Sequence, residues 1–190
     1  REALIRLLRK TDVVFLNGLH LETSIQKMAS SLLGDDVELI RLGNRVLPTA
    51  AEDENPHVWM DPLSAHLYAQ IVAEELSRLD VKHASHYEAN LRSFTEQINV
   101  LDVAIAESVA TIAPEQRKLV TYHDSFEHFA PRYGFEVIAA IQPSDFSEPT
   151  PREVARIIEQ VKREGVPAIF GSEVFPSPVL ERIGNETGTR

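Results

Sequence analysis

One histidine, His57, stands in Asn55-Pro-His-Val-Trp-Met-Asp61-Pro62; a second, His123, stands in Thr121-Tyr-His-Asp124-Ser-Phe126. Each falls where the hydrophobic pattern changes from extended to helical. Side chains at such junctions, carried by separate elements, can converge on one small target. A pair of neutral imidazoles suits a divalent transition metal, because a ring nitrogen offers a lone pair without burying a negative charge. Read from spacing alone, a lone histidine beside a helix start is more often a structural hydrogen-bonder than a ligand.

The remaining polar groups have plainer readings. Asp61 and Asp124 read as helix-capping carboxylates, and Asp124 can also orient an imidazole. His20, just past a strand end, is expected at the surface, with a place facing a binding cleft as its alternative, and His66, His83, His86 and His128 are expected to meet solvent. Trp59 is expected to pack between elements, and Glu52-Asp53-Glu54 reads as a solvated loop with a minor role in steering cations. The four groups His57, Asp61, His123 and Asp124 could also be assembled into a zinc hydrolase site with a position for water. Neither a His-Glu-x-x-His helix nor a Gly-x-Ser-x-Gly elbow is present to support that alternative.

Composition narrows the classes further. The 190 residues are 43% hydrophobic and 25% charged, ordinary for a globular protein able to bury a core. A formal charge of −10 argues against a nucleic-acid partner, which needs concentrated Lys and Arg. With no cysteine, disulfides, thiolate metal sites and cysteine nucleophiles are excluded. The apolar runs fall far short of the roughly 20 residues that span a bilayer. Arg1 begins inside an amphipathic pattern and Arg190 follows a helix, so the chain reads as an internal portion of a longer protein.

The elements that must position the histidines follow from periodicity. Leu4, Ile5, Leu7 and Leu8 mark a short helix, Asp12–Leu16 a buried strand, Glu22–Leu33 a helix closed by Gly34, and Val37–Leu42 a strand. Residues 43–56 have loop chemistry. A helix begins at Pro62, with Asp61 as its cap, and runs to about Leu79. From His86 to Ile112 there is no Gly or Pro, and Leu91, Phe94, Ile98, Leu101, Ile105, Val109 and Ile112 recur at helical spacing. That predicts one long amphipathic helix, longer than a small α/β lobe needs and suited to joining two.

Beyond it, Lys118–Tyr122 reads as a strand, Ser125–Tyr133 as a helix and Glu136–Ile141 as a strand. A helix opening at Glu148-Pro-Thr-Pro151, a strand Pro167–Phe170 and a last helix Pro178–Thr187 complete the chain. Arg1-Glu-Ala-Leu-Ile-Arg-Leu-Leu with Asp-Val-Val-Phe weakly echoes Arg152-Glu-Val-Ala-Arg-Ile-Ile with Val-Pro-Ala-Ile-Phe, as expected of two related lobes. The expected class is α/β: two Rossmann-like lobes with mostly parallel sheets, residues 1–84 and 115–190, bridged by a long helix over 85–114. Ligands of such sheets sit beyond the carboxyl ends of the strands, where His123 falls.

Several stretches together resemble a known family. Asp12-Val-Val-Phe-Leu-Asn-Gly-Leu-His-Leu-Glu22, Asn55–Pro62, Tyr87-Glu-Ala-Asn90, Leu119–Phe126, Glu148–Pro151 and Gly165–Phe170 match, in order, the metal-binding substrate-capture proteins of bacterial zinc and manganese ABC importers. The resemblance implies a four-ligand site, two ligands per lobe; because a stiff helix is expected to join the lobes, closure of the cleft should be small and local. It makes His57 the second ligand and His123 the third, with a histidine expected before Arg1 and an aspartate after Arg190. No histidine lies in 43–56, where zinc members carry a His-rich loop. It further implies a non-enzymatic, monomeric protein outside the cytoplasm, periplasmic or lipid-anchored, that delivers Zn²⁺ (or Mn²⁺) to an ABC permease. A surface adhesin is the remaining alternative, since that label is sometimes attached to the family. Protons should compete for both imidazoles, so affinity is expected to fall below about pH 6 to 6.5.

Overall fold

A computed structural model describes residues 10–32, 37–49, 54–143, 147–171 and 178–189. The expected first helix, the Gly34 stop and Glu52-Asp53 lie outside the described residues, so the weak internal repeat has only its second copy described. Contacts divide the chain into two units, residues 1–58 with 63–96, and residues 59–62 with 97–190.

In the first unit, β1 (Val13–Leu16) pairs in parallel with β2 (Glu38–Arg41), Val13 opposite Glu38 and Leu16 opposite Arg41. Helix α1 (Thr23–Leu32) connects them and buries Ala29. A short helix, α2 (Leu42–Val46), follows β2 directly, where loop chemistry was expected. Its start is a close approach: the Gly43 N–H donates to the Asn17 carbonyl at 2.7 Å, and a Cβ at Gly43 would lie 2.8 Å from that oxygen. Only glycine fits, and the contact draws the turn inward. A 3₁₀ turn over Val58–Met60 leads into α3 (Pro62–Leu79), which begins at the expected proline. Leu16, Leu19, Ala29, Ile40, Val58 and Ala73 form the buried apolar set of this unit.

The long helix α4 spans Ala84–Ala110, 27 residues or roughly 40 Å at 1.5 Å per residue. Its apolar stripe is covered unevenly: Val109 is buried, whereas Phe94 and Leu101 are 39% and 48% exposed.

The second unit holds three parallel strands in the order β4-β3-β5: β3 is Lys118–His123, β4 is Glu136–Gln142 and β5 is Ile169–Phe170. The chain leaves the central strand for one neighbour and returns to the other. Helix α5 (Phe129–Tyr133) is shorter than the expected Ser125–Tyr133. Strand pairing competes with it: the Asp124 N–H donates to the Gln142 carbonyl at 3.0 Å, extending the sheet by a residue, and the Ser125 N–H turns back to the His123 carbonyl. Asp124 therefore does not cap α5.

Helix α6 (Pro151–Glu164) shows how sequence dictates an element here. Thr150 and Glu153 form a reciprocal capping box, Pro151 occupies the first turn, and Gly165 closes the helix at φ +61°. Val154, Ile157, Ile158 and Val161 lie on one face and pack with Val120 and Ile141 of the sheet, Val166 just past the helix and Ile183 of α7 (Pro178–Thr187). Truncating a side chain in this cluster, Ile158→Ala for example, costs about 2–5 kcal/mol of stability. The core thereby holds the carboxyl ends of β3 and β4 in register. No helix among the described residues is long and apolar enough to cross a membrane.

Candidate metal-binding residues

His57 is buried, on the segment between the loop and the Val58–Met60 turn. The Asn55 side-chain oxygen accepts two bonds from it, one from the His57 main-chain N–H at 3.0 Å and one from ring Nδ1 at 2.8 Å. The first bond identifies the Asn55 atom as the oxygen, since an amide nitrogen could not accept it. Nδ1 must then carry a proton, which leaves the ring lone pair on Nε2. A carbonyl oxygen behind one ring nitrogen, fixing the tautomer of the other, is the usual support of a metal-ligating histidine. Asn55 is itself buried.

His123 ends β3, opposite Gln142 at the end of β4. The Thr121 hydroxyl donates to the His123 carbonyl at 2.9 Å. Burial pushes the His123 pKa below the ordinary histidine value, partly offset by the nearby Asp124 carboxylate and a side-chain hydrogen bond with Gln142. Gln142 is buried, and its Nε2 lies 3.5 Å from the Glu148 carboxylate. His123 and Gln142 thus meet at the carboxyl end of a parallel sheet, the usual place for a ligand, with Asp124 near His123 and Glu148 near Gln142.

Asp61 faces Arg132, 3.3 Å from its Nε, and that guanidinium also holds Asp102 of α4 through two bonds of 2.8 and 2.6 Å. Tyr133 adds its hydroxyl to Asp102 at 2.6 Å. Trp59 is 37% exposed, less enclosed than expected. His20 is exposed, as its position suggested. Three other histidines have partners besides solvent: His66 with Thr95 at 3.2 Å, His83 with Asp80 at 2.7 Å and His86 with Asn90 at 3.2 Å. Helical spacing explains the last two, since the partners sit three and four residues away.

Asn55 and Gln142 were missed as participants in the sequence reading. An Asx residue two positions before a histidine is a usable signal, because its side chain reaches main-chain N–H groups two residues on. Gln142 gives none, since only strand pairing brings it beside His123. Among the described residues, no three His, Asp or Glu side chains are grouped so as to hold an ion.

The family model for the periplasmic component A of the zinc-uptake complex, ZnuA, matches residues 1–190. The chain is 27% identical over 180 residues to the manganese-binding lipoprotein MntA of Halalkalibacterium halodurans, covering 93% of this chain and 59% of that protein. It is 28% identical over 188 residues to the zinc-binding protein TroA of Treponema pallidum, covering 96% and 61%. It thus spans about six-tenths of the length of these curated relatives. A solved periplasmic metal-binding protein from Candidatus Liberibacter asiaticus superposes with a TM-score of 0.88 at 23% identity, covering all of this chain and 71% of that one. That likeness carries the fold: an α/β protein with parallel sheets and a long helix. From the family match over its whole length, the chain belongs to the ZnuA family of periplasmic zinc-uptake components.

Proposed function

We propose that this chain is part of a capture protein that binds a divalent transition metal outside the cytoplasmic membrane and delivers it to an ABC permease. The observation that carries the reading is the state of His57: buried, with Nδ1 committed to Asn55 and its lone pair on Nε2. That is the form of imidazole a cation needs, held without the entropy cost of ordering it on binding. His123 is the second proposed donor. Its lowered pKa keeps the ring neutral at lower pH, where an ordinary histidine would already be charged. α4 serves, in this reading, as the stiff connection between residues 1–84 and residues 115–190.

The cargo class is a divalent metal, since relatives are named for manganese and for zinc. Zinc is the favoured cargo because imidazole donors suit it, and the Irving–Williams order places it above manganese at nitrogen-rich sites. Manganese is the alternative. Binding and handover without chemistry is favoured over hydrolysis, since the sequence holds neither a His-Glu-x-x-His helix nor a Gly-x-Ser-x-Gly elbow.

The test is a competition titration of the intact protein with Zn²⁺ and Mn²⁺ against a chromophoric chelator, for parent and His57→Ala. Tight binding that disappears in the variant is expected. Parental affinity in a folded His57→Ala protein would remove the reading's main support. Metal content of protein purified from its native host then decides the cargo.

A further inference from the structure

The turn after β1 contains three consecutive residues with positive φ: Gly18 at +81°, Leu19 at +49° and His20 at +65°. Glycine adopts that region freely, whereas leucine and histidine remain there only when surrounding contacts over-determine them. Those contacts are present. The Glu22 carboxylate accepts from the N–H groups of Asn17 and Gly18 at 2.7 and 3.0 Å. Asn44 Oδ1 accepts from the Leu19 N–H at 3.3 Å, and the Thr23 hydroxyl donates to the His20 carbonyl at 2.8 Å.

Asn17, at the root of this turn, uses its amide to reach a distant segment. Its Nδ2 donates to the Gly18 carbonyl at 3.1 Å and to the Pro56 carbonyl, across 39 positions of sequence, at 3.0 Å. Its Oδ1 accepts from the Tyr68 hydroxyl of α3 at 2.7 Å. The Gly18 and Pro56 carbonyls can only accept, which fixes the Nδ2 side of the amide toward Pro56. Burial and the nearby Glu22 charge raise the Tyr68 pKa, so the hydroxyl stays a donor. The main-chain carbonyl of Asn17 is occupied by the Gly43 N–H.

The Pro56 carbonyl and the His57 N–H belong to one planar peptide unit. Asn17 holds the oxygen edge of that plane and Asn55 Oδ1 holds the N–H edge. Bonds at both edges restrain that plane, and the Nδ1 bond to Asn55 restrains the ring beyond it, so together they limit where the His57 ring points. We infer that Asn17, braced by Tyr68 and the strained 18–20 turn, is a positioning residue that aims His57 at its metal. This rests on the reading of His57 as a donor.

The experiment uses the intact protein and three variants, Asn17→Ala, Asn17→Asp and Tyr68→Phe, with His57→Ala as control. Asp keeps the acceptor for Tyr68 and the side-chain volume but cannot donate to Pro56. Zn²⁺ affinity, the metal-free thermal midpoint and the NMR signals of the His57 ring nitrogens are read for each. Asn17→Asp is expected to lose about 10- to 100-fold in Zn²⁺ affinity, the range for outer supports of metal ligands. Tyr68→Phe should lose less in the same direction, and both should shift the His57 signals without metal. Parental affinity in Asn17→Asp, alongside loss in His57→Ala, overturns the inference and leaves the proposed function standing. Parental affinity in His57→Ala fails the donor reading instead, and the metal-free signals then decide: unmoved His57 resonances in Asn17→Asp overturn the clamp. Should Asn17 variants fail to fold, unchanged affinity and unchanged His57 signals in Tyr68→Phe have the same force.

Discussion

His57 and His123 come from similar sequence contexts yet occupy different physical settings. His57 is over-determined: one amide oxygen takes both its main-chain and ring protons, so a single tautomer and orientation survive. His123 is balanced: burial favours the neutral ring, while Asp124 and Gln142 favour the protonated one. A neighbour two residues away is thus enough to fix the tautomer of one imidazole, although its aim also draws on distant residues. A donor at a strand end, by contrast, depends on what the neighbouring strand presents. It also ranks the two assignments, with His57 the firmer.

Breaking the comparison most directly means deleting each ring. His57→Ala should weaken metal binding by more than about 100-fold, beyond the loss seen for outer supports alone, with the thermal midpoint little changed. If His123→Ala matches that loss in the same titration, the two histidines are equivalent donors. If it costs less than about 10-fold while Gln142→Ala costs more, the donor at this end of the sheet is the amide and not the imidazole.

A smaller effect sharpens the account of His57. Asn55→Ala should reduce affinity by about 10- to 100-fold, while Asn55→Asp, which keeps an acceptor oxygen, should hold it near the parental value. Equal losses in both variants, measured by the same competition, would mean that the oxygen is not what matters.

The pH profile addresses His123. Its folded pKa is lowered, so proton competition at this ring sets in on the acid side of the ordinary value near 6.5. Metal affinity of the parent should therefore keep a component that declines below that pH and is missing from His123→Ala. Superimposable profiles for the two proteins would exclude His123 as a donor.

The smallest expected effect concerns the support of the second unit. Arg132 and Tyr133 hold the Asp102 carboxyl below its ordinary value of 3.8. A carboxylate whose pKa is lowered by folding adds stability above its unfolded pKa and loses it as pH falls through the folded one. Solvent screens this partly exposed pair, so Asp102→Asn should lower stability at pH 7 by no more than about 1 kcal/mol, with the gap to the parent closing well below pH 4. Thermal melts at the two pH values read this directly, and metal affinity at pH 7 should be unaffected.

Much of the architecture was legible beforehand because it is written in local signals. The capping box at Thr150–Glu153 with Gly165 beyond, the proline at 62 and the Gly- and Pro-free run into α4 each fix an element from neighbours a few residues away. The misses share the opposite property. α2 exists because Gly43 meets Asn17, α5 starts late because Asp124 joins Gln142, and Asn17 itself reads as a strand-end turn residue. In each case a long-range hydrogen bond overrides what the adjoining residues prefer.

Taken alone, the sequence determined the chemical types available for ligation, the α/β alternation and the family. It did so because periodicity, caps and motifs act over one or two turns of chain. Tertiary structure alone decided that Gln142 meets His123 and that Asn17 grips Pro56 from 39 positions away. Those depend on atoms brought to hydrogen-bonding distance by packing, whereas spacing along the chain encodes distances only within a turn or two of one element.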